Sequence, residues 1–181
     1  AGDGLLTFAF QLLSEQKQIA SDIRVELISL LARAAGPEGM VGGQAHDIEA
    51  EGKHLTLSEL KILDACKTGC LLSAPVSMAC AVAGTALKDR VLLENFAAHL
   101  GLLFQITDDL LDEKGNLEDM GKMPGQDEKD HKSTFVTILG VAEAEKYAEE
   151  EGALAKEALA KLPFDSTILY ELTDLLLHRK K

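Results

Sequence analysis

Phe104–Asp112 reads FQITDDLLD and places three aspartates within five positions of an otherwise apolar segment. The apolar residues on both sides recur with the period of a helix, so we expect this stretch to be helical. Carboxylates one turn apart on a helix repel each other, and a sequence that required only a stable helix would avoid this arrangement. The stretch therefore predicts a helix with one polar face, whose charges have a partner elsewhere.

The composition of the chain favours helix over strand. The chain has 181 residues, of which 46% are hydrophobic and only 4% aromatic. Leu, Ala, Glu and Lys are frequent, and these residues have high helix propensity. We predict a single all-α domain. Periodicity, capping residues, Gly and Pro predict helices over residues 2–14, 19–35, 40–50, 56–67, 68–83, 88–113, 133–139, 142–162 and 165–179, with a polar loop over 114–132.

The net charge limits the possible partners. At −12, the chain lacks the basic surface that binds a nucleic-acid backbone. An acidic protein still binds a phosphorylated ligand when divalent cations bridge the two. The three cysteines, Cys66, Cys70 and Cys80, fit neither a disulfide framework nor a zinc site. We expect reduced thiols and a cytoplasmic protein.

Residues 69–86 form an uncharged run of 18 residues, long enough for a membrane span to be considered. The run is rich in Gly, Ala, Ser and Cys and contains Pro75, so its hydrophobicity is marginal for lipid. We predict a buried core helix and no stable membrane insertion. The first ten residues already lie inside a helical pattern, and we expect that a further segment precedes them.

The polar residues of Phe104–Asp112 share one face of the predicted helix. On a helical projection they fall within an arc of about 100°; they are Gln105, Asp108, Asp109 and Asp112. If this face is buried, two carboxylates about 6 Å apart repel by roughly 3 kcal/mol at an effective dielectric constant of about 20. A divalent cation removes that repulsion, and an open, all-oxygen ligand set favours Mg²⁺ over Zn²⁺. Spacing alone leaves two interpretations open, a Mg²⁺ site or a solvated acidic face.

A second polar stripe lies on the predicted third helix, where Gln44, Asp47 and Glu51 share one face. Gly42 and Gly43 precede it and lower helix propensity, which indicates close approach of another backbone or of a ligand. The alternative is a surface helix with an ordinary polar side.

The few basic residues near these stripes are candidates for anion binding. Lys67 and Thr68 stand at the start of the apolar fifth helix, while Lys122 and Lys132 lie in the polar loop that follows the aspartates. A lysine at the entrance of an apolar helix either extends to solvent or meets an anion. Each lysine taken singly also fits a solvated surface position.

Together, six stretches resemble the C-terminal portion of the trans-isoprenyl diphosphate synthases, and within that family the bacterial farnesyl diphosphate synthases. In chain order they are AGDGLL at 1–6, GMVGGQAHDIEAEGK at 39–53, KTG at 67–69, FQITDDLLD at 104–112, MGK at 120–122 and HKSTF at 131–135. The resemblance extends over essentially the whole chain. It implies an all-α isoprenoid-synthase bundle around a central cavity. Residues 1–181 would form the C-terminal portion of a single prenyltransferase domain, with a first aspartate-rich motif on upstream helices.

The resemblance also implies an activity. The family joins an allylic diphosphate, dimethylallyl or geranyl, head to tail to isopentenyl diphosphate in a Mg²⁺-dependent reaction that yields farnesyl diphosphate or a similar short-chain product. Members are usually homodimers. A non-catalytic regulatory subunit of such a synthase is the alternative, and a helical interaction module is a third possibility. The regulatory subunit is disfavoured because Lys67 and the aspartates of Phe104–Asp112 are present, and the interaction module is disfavoured by the polar stripes.

Residue roles carry over by motif. The resemblance implies that Asp108, Asp109 and Asp112 hold Mg²⁺, with Asp109 supporting the other two. It implies catalytic roles for Lys67, Thr68 and Gln105, the last two placing oxygens near the carbocation. It implies that Gln44, Asp47, Lys67, Lys122 and Lys132 line the site of the allylic diphosphate. Arg179 lies in a C-terminal stretch that matches the family too loosely for a role to be carried over.

Overall fold

A computed structural model of the chain describes residues 1–114 and 132–179. Within them the chain is helical and has no strand, so the predicted all-α fold class is confirmed. The helices are α1 (Gly2–Ser14), α2 (Ser21–Ala35), α3 (Met40–Glu49), α4 (Leu57–Asp64), a π-helical turn (Ala65–Gly69), α5 (Cys70–Ala83), α6 (Leu87–Lys114), α7 (Phe135–Leu139), α8 (Val141–Ala160) and α9 (Thr167–Leu177).

Most helix bounds lie within two residues of the prediction, and capping explains where some of them fall. Helix α4 begins after Thr56, whose hydroxyl accepts from the Glu59 backbone N–H while the Glu59 side chain accepts from the Thr56 backbone N–H. This reciprocal capping box was visible in the sequence as a Thr three residues before a Glu. The N-terminus of α2 differs, because no side chain caps it and its N-cap residue is Ala20.

The predicted break between the fourth and fifth helices is wrong. Residues 57–83 form one continuous helix that passes through the π-helical turn Ala65–Gly69. The turn accommodates one extra residue, because the N–H of Cys70 bonds to the carbonyl of Ala65 five residues earlier. Gly69 does not end the helix, since its backbone keeps right-handed helical angles. The turn carries Lys67 and Thr68.

Helix α6 is the centre of the fold and packs against α8 over most of its length. Leu103 and Ile106 are fully buried, and with Leu60, Phe135 and Ala144 they form one cluster of the core. A second cluster lies towards the start of α6 and comprises Phe96, Ala97, Leu100, Ala155, Ala158 and Leu159. The small alanines of α8 allow close helix packing. Each fully buried Leu or Phe side chain stabilises the fold by about 1.5–3 kcal/mol.

The outer helices leave much apolar surface uncovered. Helix α1 has no buried residue, and its Leu5, Phe8 and Leu12 side chains are exposed. In α5 only Ala74 and Cys80 are buried, so this helix is less buried than we expected. Among the described residues one helix, 57–83, is long and apolar enough to cross a membrane by length and composition alone. That the protein does not insert into a membrane stays a prediction.

Candidate active site

A polar cavity of about 150 Å³ lies between α3, α4, α6 and the segment that precedes α7. It is lined by part of each stripe that the sequence predicted, Asp47 and Glu51 from the one and Gln105, Asp108 and Asp109 from the other. Its polar lining comprises Asp47, Glu51, Asp64, Lys67, Gln105, Asp108, Asp109, Lys132, Ser133 and Thr134, and leucines at 55, 60 and 63 form its apolar wall. Four separate parts of the chain therefore contribute to one site.

Two lysines share one carboxylate oxygen in this cavity. Lys67 Nζ donates to Asp47 Oδ2 at 2.8 Å, and Lys132 Nζ donates to the same oxygen at 3.4 Å. Burial opposes the charged form of Asp47, but the hydrogen bonds and positive charges of Lys67 and Lys132 outweigh it and hold the pKa of Asp47 below its ordinary value. The arrangement concentrates two positive charges around one acceptor, as an anion-binding site requires.

Gln105 connects the π-helical turn to the aspartates. Its Oε1 accepts from Thr68 Oγ1 at 3.2 Å, and its Nε2 donates to Asp109 Oδ1 at 3.2 Å. The other oxygen of Asp109 accepts from the backbone N–H of Phe135 at 2.8 Å. These bonds orient the Gln105 amide and tie Asp109, which is 8% exposed, to the first turn of α7. Asp109 thus has a structural role beside any role towards a ligand.

Asp108 lies at the exposed side of the cavity beside Arg179. Arg179 Nη2 donates to Asp108 Oδ1 at 3.3 Å and to the Phe104 carbonyl oxygen at 3.2 Å, and its guanidinium lies 4.5 Å from the centre of the Phe104 ring. The Asp108 side chain remains 45% exposed. The C-terminal residues therefore reach the aspartate motif, which the loose sequence match around Arg179 did not predict.

Asp64 is a cavity residue that sequence reasoning missed. It is 7% exposed, and its Oδ2 has no hydrogen-bond partner among the described residues. Burial, and then the negative charge of Asp109, raise the pKa of Asp64 to about 7, against the opposing effect of Lys67. The signal in the sequence was spacing, because Asp64 precedes Lys67 by three residues and therefore shares its side of the helix.

Other predicted site residues lie away from the cavity lining. Thr68 does not line the cavity, but its hydroxyl donates to Gln105, which does. Gln44 is exposed, and Asp112 is 4% exposed on a part of α6 that does not line the cavity. Lys122 lies outside the described residues. The functional roles assigned to these residues stay predictions.

The cavity fits an open magnesium site better than a closed metal cage. Within residues 1–114 and 132–179, no group of three or more His, Cys, Asp or Glu side chains is gathered to hold a metal ion. The carboxylates that face the cavity are hard oxygen donors, and the buried Asp64 has an oxygen without a hydrogen bond. Mg²⁺ is commonly held by one or two carboxylates, with waters and substrate phosphates completing its shell. Asp108 and Asp109 suit that mode.

Comparison with known proteins shows the family to which this chain belongs. A family model described as polyprenyl synthetase matches residues 1–167. Farnesyl diphosphate synthase of Geobacillus stearothermophilus is 43% identical over 99% of this chain, and that of Bacillus subtilis is 38% identical over the same share. The chain spans 61% of the length of each of these curated relatives.

A solved structure has the same architecture. It is described as a geranyltransferase from Helicobacter pylori complexed with magnesium and isoprenyl diphosphate, and it is similar to this chain with a TM-score of 0.83 and 34% identity. The match covers 97% of this chain and 57% of that one. Because the family model covers residues 1–167, most of its length, this chain belongs to the polyprenyl synthetase family.

Proposed function

We propose that this chain is the C-terminal portion of a single prenyltransferase domain that makes farnesyl diphosphate or a similar short-chain prenyl diphosphate. One observation carries the proposal: the carboxylate that holds Lys67 and Lys132 lies in the same cavity as Gln105, Asp108 and Asp109. The two lysines point at one anion, and they lie opposite carboxylates that suit a divalent cation. This combination matches the chemistry of a magnesium diphosphate.

The lysines bind and orient the allylic diphosphate. A diphosphate oxygen would replace Asp47 Oδ2 as an acceptor for Lys67 and Lys132, and Lys122, which lies outside the described residues, would add a further positive charge. Gln44 and Asp47 would border the same site from α3. The combined positive charge of the three lysines stabilises the negative charge that develops on the leaving diphosphate when the carbon–oxygen bond breaks.

Magnesium would be held by Asp108 and Asp109 on the cavity side of α6 and by Asp112 one turn further along. When bound, it would neutralise the diphosphate and lower the barrier to its departure as a Lewis acid. The charge of the cation would also explain why the aspartates lie close together, because their attraction to it outweighs their mutual repulsion.

Thr68 and Gln105 would act next to the reacting carbon. Their mutual hydrogen bond holds both oxygens in place, and an oxygen dipole near a carbocation stabilises positive charge. Head-to-tail condensation then forms one carbon–carbon bond between the cation and the alkene of isopentenyl diphosphate, and a proton leaves the neighbouring carbon. The apolar helices around the site would exclude water, which otherwise captures the cation.

The remainder of the site and the assembly are part of the same proposal. Helices preceding residue 1 would supply the first aspartate-rich motif and the isopentenyl diphosphate site. The uncovered apolar residues of α1 and the greater length of the relatives support this. We propose a homodimer in the cytoplasm, without nucleic-acid partners or stable membrane insertion.

The proposal is tested with the complete protein in a radiolabelled assay that combines isopentenyl diphosphate with geranyl diphosphate and Mg²⁺. We expect a labelled prenyl diphosphate, and loss of product when Mg²⁺ is chelated. The 181-residue chain alone should be inactive. A complete, folded protein that binds both diphosphates without product formation would support the regulatory subunit instead.

A further inference from the structure

We propose that Gly43 and Gly101 are positioning residues that clamp the π-helical turn Ala65–Gly69 from two sides and thereby set the positions of Lys67 and Thr68. The inference rests on the proposed function for its activity readout. It does not follow from the family resemblance, which assigns roles to the polar residues of the site. It follows from the space that the structure leaves beside each glycine.

The first contact is between α3 and the turn. A Cβ built on Gly43 would lie 2.8 Å from Lys67 Cβ and 2.5 Å from Lys67 Cα, closer than side-chain carbons approach one another in proteins. Asp47 lies four residues after Gly43 and so on the same face of α3. The missing side chain at 43 therefore lets α3 approach closely enough for Asp47 to accept from Lys67.

The second contact is between α6 and the turn, and it repeats the pattern. A Cβ on Gly101 would lie 3.3 Å from Gly69 Cα, so the turn would have to move by a few tenths of an ångström. Gln105 lies four residues after Gly101 and accepts from Thr68. On both helices a glycine meets the backbone of the turn, and a polar residue one helical turn later bonds to a side chain of the turn.

The π-helical turn is the element on which both contacts act. A π-helical turn is less stable than continuous α-helix and is maintained where the surroundings favour it, often at functional sites. Here the turn contains one residue more than an α-helical turn. Its Lys67 side chain bonds to Asp47 on α3, and its Thr68 side chain bonds to Gln105 on α6. Close packing on both sides limits the ways in which these two side chains can move.

Three buried glycines inside helices provide a graded test. Replacing a helical glycine by alanine stabilises the helix when there is room for the methyl group. Gly152 in α8 has that room, since its nearest contacts would be ordinary side-chain contacts at 3.7 Å or more. Gly43→Ala, Gly101→Ala and Gly152→Ala therefore share one chemical change and differ in the space available. Each is made in the complete protein.

Three measurements together separate positioning from folding. Isothermal titration calorimetry with inorganic pyrophosphate and Mg²⁺ reports on Lys67, and steady-state kinetics reports on turnover; circular dichroism melting follows the fold. We expect Gly43→Ala to weaken pyrophosphate binding about tenfold. We expect Gly101→Ala to lower kcat about tenfold with a nearly unchanged KM, because small displacements at a reacting centre have large effects. Gly152→Ala should keep the parent values and melt at the same or a higher temperature.

Each outcome decides the proposal. Folded Gly43→Ala and Gly101→Ala proteins with the parent's pyrophosphate affinity and kcat would overturn it, even if their melting temperatures fall, because the glycines would then serve packing alone. If Gly43→Ala does not fold, the milder Gly101→Ala decides. If the parent protein shows no turnover, the proposed function fails, and the pyrophosphate affinity of Gly43→Ala, with Gly152→Ala as its control, still decides the positioning role of Gly43.

Discussion

One carboxylate oxygen, Asp47 Oδ2, accepts hydrogen bonds from both Lys67 and Lys132, at 2.8 Å and 3.4 Å. The two lysines belong to different elements, the π-helical turn and the segment before α7, and Asp47 lies on α3. The carboxylate keeps two positive charges close together in the absence of a ligand. A diphosphate that binds these lysines would compete with it for their N–H donors.

Replacing Asp47 by Asn should therefore change stability and anion binding in opposite directions. We expect Asp47→Asn to lower the free energy of unfolding by about 1 kcal/mol, because both ion pairs are partly exposed. We expect it to tighten binding of inorganic pyrophosphate severalfold when Mg²⁺ is absent, since the competing anion is gone. Calorimetric titration and urea unfolding measure the two effects. Weaker pyrophosphate binding would mean that Asp47 mainly orients the lysines.

Lys67 should be the most sensitive lysine of the described site. Its ammonium group lies in the cavity, so Lys67→Ala should reduce kcat/KM for the allylic diphosphate by about 10²-fold or more, the order expected when a preorganised charge is removed. Lys161→Ala is a matched control, because Lys161 is exposed and pairs with Glu157 on the surface. Equal effects of the two substitutions would contradict the assigned role.

Asp108 and Asp109 are adjacent but should respond differently to replacement by alanine. Asp108 is partly exposed and pairs with Arg179, so Asp108→Ala should cut turnover by orders of magnitude while the melting temperature changes little. Asp109 accepts from a buried backbone N–H of Phe135, so Asp109→Ala should also destabilise the fold by about 1–3 kcal/mol. Parallel melting curves and turnover assays test the contrast, and a wild-type turnover in Asp108→Ala would refute a metal-binding role.

Asp64 should make stability depend on pH. Its pKa in the folded protein, about 7, lies above the ordinary value of 3.8, so folding favours the protonated form. Its contribution to stability is fully present below about pH 4 and is lost as pH rises to about 7. Asp64→Asn removes this loss, and we expect the variant to gain stability over the parent at pH 8, by up to roughly 4 kcal/mol.

The measurement is urea unfolding of parent and Asp64→Asn at several pH values between 4 and 8. The difference in free energy of unfolding should grow with pH and reach a plateau above pH 7. A difference that does not change with pH would show that Asp64 is not the titrating group. A loss of turnover in the more stable variant would indicate that the buried carboxylate is retained for function.

The aspartate stripe illustrates how far a helical projection reaches. The projection assigned Gln105, Asp108 and Asp109 to one side of α6, and these three do line the cavity. It also assigned Asp112 to that side, but Asp112 lies outside the lining. A cavity has a limited extent along the helix axis, and a projection down that axis cannot represent it.

The close approach that the glycines of α3 predicted is present in the structure. Gly42 and Gly43 predicted a close approach, and each lies against a neighbouring backbone, that of Pro37 and that of Lys67. That Lys67 is the neighbour of Gly43 could not be predicted, because it depends on how α3 packs against a segment more than twenty residues away. The π-helical turn was not predicted, because the local sequence at Lys67 and Gly69 resembles that of a helix end.

By itself the sequence determined the helical fold, the approximate helix bounds, and the lysine and aspartate residues that line the cavity, because periodicity, capping and motif spacing are local properties of the chain. Only the tertiary structure decided that Asp47 joins two lysines, that Asp64 lies buried among them, and that Arg179 reaches Asp108. Those contacts join residues far apart in sequence, and they depend on the distances at which helices pack.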